Sequence, residues 1–598
     1  MPALQDVLAY IDVETQADLI WLAIGVFAQL MFTMRFVIQW LASERAGRSV
    51  VPVAFWFFSL AGGAILLAYG IRRGEPVIIL GQSIGIFIYL RNIWMIFLES
   101  RGRGGGARGI APVRRAGRWA LAAIALIGAI TLWRLWTLTT LGLPLHGDEA
   151  QYWTWAQDLA FGYYSKPPMV AWTIAAATAL CGEGEACIRA ASPLTYAIGS
   201  VFLFLLARRM FDARVAFWAA LLFATLPGAA YSSLLMTTDP LLLMFWAIGL
   251  YAFHRAASGE GLGWWALTGA AVGLGVLSKY AMIAFPLSAA LVLALEPSLR
   301  DRRNWRGVGL AAAIAAILIA PNIWWNAANG FATLSHTGDN ANLGGRLFNP
   351  DQFFSFFGEQ FAVFGPVLLL AAIGFWTFRG RRLWADPRFR FLLLFATPIL
   401  AVMLTQSFVS RAHANWAAAA YVAAAPMVAA LLATWRPPVG AVLLIASTAL
   451  HIGASAAVYE FDRWTAAAGL ERTRADPFRN LRGWDQLAEE VRAHMAAHPQ
   501  ARLISDHRMT LASLMRETGA EGAAKWNPSG RINDHYDLTT DISGDVGAAF
   551  IFVTRGHSPG AARDMFDAVE TLDLLDIPLN AKETRTYGVF LLRGFQGY

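Results

Sequence analysis

A chain of 598 residues that is 57% hydrophobic and only 15% charged has too little charge to cover a water-soluble globule of its size, which makes the bilayer its solvent. The formal charge of +7 does not signal nucleic acid. The arginines fall between apolar runs instead of forming a basic stripe with interleaved aromatics, and membrane orientation accounts for them.

The chain opens with MPALQDVLAYIDVETQAD, which is acidic and has neither a basic n-region nor a small-residue cleavage site; this predicts a retained first span and no removable signal peptide. Spans near 18–41, 53–71 and 77–97 follow. Pro52 opens the second, where a missing N–H costs nothing. Arg35, Gln39, Gln82 and Arg91 are polar groups near membrane depth, and are either functional or paired with one another to hold three short helices together. Glycine-rich residues 99–117 read as a linker, and the segment 101–118, with six arginines and no acid, is placed in the cytoplasm.

Further spans are expected near 119–141, 190–207, 213–231, 239–254, 263–278, 280–297, 307–324, 357–378, 389–406, 413–434 and 438–457. Alternation from the basic linker brings Arg208, Arg209, Arg214, His254, Arg255, the arginine runs at 300–306 and 379–382, and Arg436 to the cytoplasmic face. Arg45 and Arg48 agree with this topology, whereas Arg72 and Arg73 conflict with it. Segments 142–189, 232–238, 325–356, 407–412 and 458–598 then share the opposite face. The apolar stretch 168–180 is too short to span and reads as an interfacial or re-entrant helix. Past residue 458, the β-prone runs ARLISDH, GAAFIFVT and YGVFLLRG alternate with helical patterns at 484–497 and 560–573, which predicts a small periplasmic α/β domain. Cys181 and Cys187 flank GEGEA, a spacing with two glycines that lets the chain turn back far enough for a disulfide in an oxidising compartment.

Five stretches concentrate polar residues on the outer face: PLHGDEAQYWTWAQDLAFGYYSKPPMVAW at 144–172, TTDP at 237–240, SKY at 278–280, PNIWWNAANGFATLSHTGDN at 321–340 and SRAHANW at 410–416. Taken singly each has a structural reading. Asp148 and Glu149 fit a helix cap, Lys166 a snorkelling lysine, Asp239 a helix start, and Trp153, Trp155, Tyr163, Tyr164, Trp324 and Trp325 an interfacial aromatic belt.

In order and on one face, these stretches resemble glycosyltransferase family 39 of the GT-C superfamily, which includes aminoarabinose transferases to lipid A and protein O-mannosyltransferases; the resemblance covers about 118–540. Residues 17–98, through Arg35, Gln39, Trp40, Ser43, Glu44, Pro52, Trp56, Gln82, Tyr89 and Asn92 among others, resemble the lipid A biosynthesis amino-terminal domain, a three-helix unit similar to half of a SWEET transporter. That domain also occurs on lipid-A-disaccharide synthase, but the soluble nucleotide-sugar domain of that enzyme is absent here, so its activity does not follow.

The resemblance implies a polytopic α-helical membrane protein. Its parts are a three-helix module at 1–98, a basic linker at 99–117, a GT-C transmembrane domain at 118–457 and a periplasmic α/β domain at 458–598. It implies inverting transfer of a sugar from a polyprenyl phosphate carrier to lipid A or another envelope lipid glycan at the bacterial inner membrane. The partners are then the donor, a lipid or glycan acceptor and membrane lipids, without nucleic acid.

The implied roles are Asp148 as acceptor base, its pKa raised by desolvation, with Glu149 sharing or orienting that work. Lys166 binds the carrier phosphate, Asp239 faces the same cavity, Lys279, His336 and Arg411 neutralise the departing phosphate, and Tyr164 stacks on sugar. Where the aminoarabinose transferases carry a metal-binding glutamate, Ser165 stands here, so no cofactor is assigned and a divalent metal has no support. WNPSGRINDHYDL at 526–538 recurs in the outer domains of such enzymes without an assigned reaction. A lipid-sugar transporter or flippase is the alternative from another class, although transporters usually carry paired repeats and midplane polar residues. A scaffold protein leaves the polar constellation unexplained.

Overall fold

The computed structural model describes residues 16–47, 50–73, 75, 78–79, 81–83, 85–86, 88–93, 111–333, 336, 338, 347–435, 437–467, 476–579 and 583–598. Two compact units result, Met1–Pro112 with Thr178–Glu183, and Val113–Ala177 with Gly184–Tyr598.

The first unit holds α1 (Gln16–Ala46) and α2 (Val53–Arg73), with helical positions again between 78 and 93. Arg35 of α1 donates to the Tyr89 hydroxyl at 3.0 Å and lies 3.9 Å from the Phe32 ring centroid. Arg35 thereby joins α1 to the helical segment around Tyr89, a contact of the kind that holds short helices together.

The principal helices of the second unit are α3 (Ala111–Thr140), α4 (Gly147–Gln157), α5 (Met169–Cys181), α6 (Ala191–Met210), α7 (Ala213–Thr225), α8 (Pro227–Ser232), α9 (Thr238–Ala257), α10 (Leu262–Ser278), α11 (Ala284–Leu295), α12 (Arg302–Ala328), α13 (Pro350–Phe364), α14 (Pro366–Ala385), α15 (Pro387–Val409), α16 (Ala418–Thr434) and α17 (Pro437–Tyr459). Among the described residues of the chain, nine helices are long and apolar enough to cross a membrane, or ten when the pair α13 and α14 counts as one span. The chain is a polytopic α-helical membrane protein.

Four expected spans are interrupted; at 280–297 a 3₁₀ turn over Tyr280–Ile283 precedes α11. The one at 357–378 is two helices meeting at 113°; Gly365 adopts φ 91° between them and Pro366 opens the second, a conformation that glycine takes without a Cβ clash. The span at 213–231 breaks at Leu226, because the residue before Pro227 is driven from the helical region. At 413–434 a 3₁₀ turn over Ala414–Ala417 precedes α16. The helix after the glycine-rich segment starts at Ala111, earlier than expected. Helix α5, with 13 residues, is too short to span, as its sequence indicated. Arg436 and much of the expected span 77–97 lie outside the described residues.

The carboxyl-terminal domain contains α18 (Trp484–Ala497), α19 (Arg508–Thr518), α20 (His535–Thr539) and strands β1 (Arg502–Ser505), β2 (Ala524–Lys525), β3 (Phe550–Arg555), β4 (Phe566–Pro578) and β5 (Thr584–Phe595). The sheet order is β2-β1-β3-β5-β4, with β1 parallel to β2 and β3, and β5 antiparallel to β3 and β4. This is the expected α/β domain, with one error in its parts. Residues 560–573, expected to be helical, form a 3₁₀ turn over Gly560–Met565 and then the first half of β4. Pairing along β5, from Phe566 opposite Phe595 to Pro578 opposite Thr584, overrides the helical periodicity of the segment. Cys181 and Cys187 are both disulfide-bonded and no cysteine is free.

Candidate functional site

Helix α4 builds the centre of the site. His146 caps it, its Nδ1 accepting the Asp148 N–H at 3.1 Å, while Glu149 Oε2 accepts the His146 N–H at 2.9 Å. This reciprocal cap fixes the direction in which the chain enters the helix. Glu149 is fully buried. Its carboxylate accepts from Arg189 Nε at 3.0 Å and Nη2 at 2.8 Å, and from the Met236 N–H at 2.7 Å. With the cap, these fill the roughly four acceptor positions of a carboxylate. Expected to share or orient the work of the base at Asp148, Glu149 has its carboxylate filled by these bonds in a buried pair with Arg189.

Asp148 is half-exposed, and its Oδ1 accepts from Arg508 Nη1 of the carboxyl-terminal domain at 2.8 Å. Burial raises its pKa, but the charge and hydrogen bond of Arg508, with His146 and Lys166 nearby, outweigh burial and hold the carboxyl below its ordinary value. The raised pKa expected from lipid and aromatic walls is thus overturned, because a guanidinium the sequence did not reveal faces the carboxylate.

Lys166 lines a cavity of about 680 Å³ with Ser165, Lys279, Tyr280, Asn322, Asn326, His336 and Trp416. Burial, followed by the charge of Lys279, pushes the Lys166 pKa down. Lys279 Nζ contacts Asp239 Oδ1 at 2.6 Å, and Asn415 Nδ2 donates to Asp239 Oδ2 at 2.7 Å. Asp239 and Asn415 also line a second cavity of about 440 Å³, together with Glu359 and the aromatics Tyr196, Tyr231 and Tyr421. The Asp239–Lys279 pair thereby has one partner in each cavity. Val276, Ile283 and Ile319 of the lysine cavity are shared with a third, of about 780 Å³, whose walls are almost wholly apolar side chains of α10, α11 and α12. A chamber that sets two lysines and a few polar side chains among mostly apolar walls, continuous with an almost wholly apolar one, suits an anionic headgroup on a hydrocarbon tail.

The other expected residues are distributed less simply. His336 lines the lysine cavity, and its ring centroid is 5.2 Å from that of Tyr164. Tyr164 is turned toward the carboxyl-terminal domain, its hydroxyl donating to the Ile532 carbonyl at 3.3 Å. Arg411 is exposed and is not among the lining residues of these cavities. Among the described residues no group of three or more His, Cys, Asp or Glu could hold a metal ion.

Several partners escaped sequence reasoning. Tyr280 donates to Asn322 Oδ1 at 2.9 Å and accepts from Asn326 Nδ2 at 3.3 Å, while Asn322 Nδ2 donates to the Phe161 carbonyl at 2.7 Å, tying α12 to the loop that carries Lys166. The spacing of the two asparagines, one helical turn apart in PNIWWN, was the available signal. Asn415 lay within SRAHANW. Arg189 and Arg508 carried no local signal.

Residues 165–325 match the family model described as Dolichyl-phosphate-mannose-protein mannosyltransferase, and residues 24–94 match the Lipid A Biosynthesis N-terminal domain. Over 79% of its length the chain has the fold of ArnT from Cupriavidus metallidurans, whose crystal structure bound to undecaprenyl phosphate aligns with a TM-score of 0.55 at 15% identity, covering 98% of that chain. Its apo state aligns with a TM-score of 0.54. The class is therefore a polytopic α-helical membrane protein with the ArnT fold, preceded at residues 24–94 by a segment that matches the lipid A biosynthesis amino-terminal domain. Among curated relatives, the lipid A galacturonosyltransferase RgtD of Rhizobium johnstonii is 36% identical over 315 residues, 52% of this chain and 64% of the relative, which is less than two thirds of its length. The Chlamydia trachomatis serovar D lipid-A-disaccharide synthase is 40% identical over 78 residues, only 13% of either chain.

Proposed function

We propose that the protein is an inner-membrane glycosyltransferase that moves a sugar from a polyprenyl phosphate carrier to a lipid acceptor, lipid A or a related envelope glycolipid, at the periplasmic face. The observation that carries this reading is the lysine cavity: Lys166 and Lys279 beside an apolar chamber, with the Asp148 carboxylate close enough to act on Lys166. Named similarity to a lipid A glycosyltransferase and fold similarity to an undecaprenyl-phosphate-bound transferase support the same chemistry, and the transporter alternative is not favoured.

An acceptor hydroxyl attacks the anomeric carbon from the face opposite the phosphate, the carbon–oxygen bond to phosphate breaks, and the electron pair leaves on the phosphate oxygen. Asp148 receives the hydroxyl proton. Lys166 and Lys279 balance the charge that grows on the phosphate. Attack opposite the leaving group inverts the anomeric carbon. The arginine alternation supports the orientation.

The test is turnover of undecaprenyl phosphate-linked sugars by purified protein. Asp148→Asn is expected to lower turnover by about two to four orders of magnitude, the range of a general base, while leaving carrier binding in place. Turnover near that of the parent protein would remove Asp148 from the role.

A further inference from the structure

The carboxyl-terminal domain is not an appended lobe. One continuous core contains Tyr152 and Trp155 of α4, Tyr163 of the following loop, Leu511 and Leu514 of α19, and the strand residues Leu503, Ile551 and Val589. Helix α19 meets α4 so closely that a Cβ on Gly147 would lie 2.7 Å from the Met509 Cβ, so glycine is required there for the approach. Segment 526–538 strengthens the dock: the His535 ring packs edge-on against Trp155 and Tyr163, and the Tyr536 and Thr154 hydroxyls are 2.8 Å apart.

Arg508 is the first residue of α19, three residues beyond the end of the parallel strand β1, and so lies at the carboxyl edge where open parallel sheets place their functional groups. Its Nη1 donates to Asp148 Oδ1 at 2.8 Å and also to Gln151 Oε1. Asp148 and Gln151 are three apart on α4 and present one face. The charged and titratable groups facing Asp148 are Arg508 from α19, His146 from the cap, Lys166 from the loop after α4, and Tyr152 from α4 itself.

We propose that Arg508 is a positioning residue for the transfer reaction: through its bonds to Asp148 and Gln151 it orients the base and keeps it ionised, so the carboxyl-terminal domain completes the catalytic site. This rests on the reading of Asp148 as the base. In wild type, burial of Asp148 is outweighed by Arg508 together with His146 and Lys166. Removing the guanidinium leaves burial less opposed, and the carboxyl pKa rises.

The experiment measures kcat/KM against pH for Arg508→Gln and Arg508→Lys with undecaprenyl phosphate-linked sugar, alongside melting curves and carrier affinity. Arg508→Gln is expected to move the acidic limb upward by about one pH unit or more, the size of effect one arginine has on an adjacent aspartate, without changing carrier affinity. Arg508→Lys keeps the charge and loses the fork, so its limb stays near wild type while kcat falls. A packing role alone would lower stability and leave the limb where it is. An unmoved limb in folded Arg508→Gln overturns the proposal; if that variant does not fold, wild-type kcat or a raised limb in Arg508→Lys does so. Turnover retained by Asp148→Asn would sink the base reading itself, whereas a dead Asp148→Asn with an unmoved Arg508→Gln limb sinks only this inference.

Discussion

Glu149→Gln separates structure from chemistry at adjacent acidic residues. Glu149 and Arg189 are 0% and 1% exposed, and two of the four hydrogen bonds on the carboxylate come from that guanidinium. An amide is neutral and presents one acceptor oxygen and one donor nitrogen, so the variant leaves Arg189 charged in a dry environment and sets an N–H₂ against other donors. Breaking a buried pair from one side costs about 3–5 kcal/mol. At about 1.4 kcal/mol per tenfold, 3 kcal/mol raises the locally opened population of α4 by roughly two orders of magnitude. Hydrogen exchange over 146–157 and proteolysis in detergent report that population, and turnover per folded molecule reports chemistry. The expected result is faster exchange with turnover per folded molecule largely kept. Pairing the variant with Arg189→Met removes the stranded charge and recovers part of the loss; only part, because Arg189 also donates to the carbonyls of Leu143 and Pro144. Wild-type exchange together with a hundredfold or greater loss of turnover would refute the structural assignment and return Glu149 to the reaction.

Lys166→Ala should weaken undecaprenyl phosphate binding about ten- to a hundredfold, the worth of a charge-assisted contact of roughly 1.5–3 kcal/mol; equal affinity in a titration would leave Lys166 as a snorkelling side chain. His535, whose pKa burial pushes down to about 4, is neutral where it packs on Trp155. A depressed folded-state value means its contribution is whole above the unfolded pKa near 6.5 and is lost as pH falls from there toward about 4, at no more than about 1.4 kcal/mol per unit. Tryptophan fluorescence or limited proteolysis from pH 7 to 4.5 should show the domain loosening, less steeply in His535→Gln, and identical slopes would contradict the assignment. A reporter fused after Tyr598 should be active in the periplasm; activity confined to the cytoplasm would reverse the orientation.

Most of the fold was legible because long apolar runs and their punctuation are local properties of sequence. Helices α3, α6, α9, α12, α15, α16 and α17 overlap expected spans, since an apolar segment satisfies its backbone groups within itself in lipid by forming a helix. The misses are places where local pattern met a nonlocal partner or a backbone break. The segment 560–573 has helical spacing, but β5 supplies a longer ladder. A single span at 357–378 is what hydropathy alone predicts, and only the Gly365–Pro366 step indicates the turn. The site divides in the same way. The stretches holding Lys166, Asp239 and Lys279 were found as motifs, and the Asp239–Lys279 contact joins residues 40 apart in sequence.

Asp148 and Glu149 show where such reading stops. They are neighbours of the same charge at one helix start, and every sequence argument for one as a base applies to the other. What separates them is the arginine each meets. Arg189 is 40 residues away and reaches Glu149 in a dry core; Arg508 is 360 residues away and reaches Asp148 where it is 37% exposed. A carboxylate with four donors on it has no lone pair left for an incoming hydroxyl. One with a single guanidinium on one oxygen keeps the other oxygen available, and its charge is then set by a domain that folds from the far end of the chain. The division of labour proposed for the DE pair is therefore a tertiary property, and the acidic limb of the pH profile is the observable that tests it.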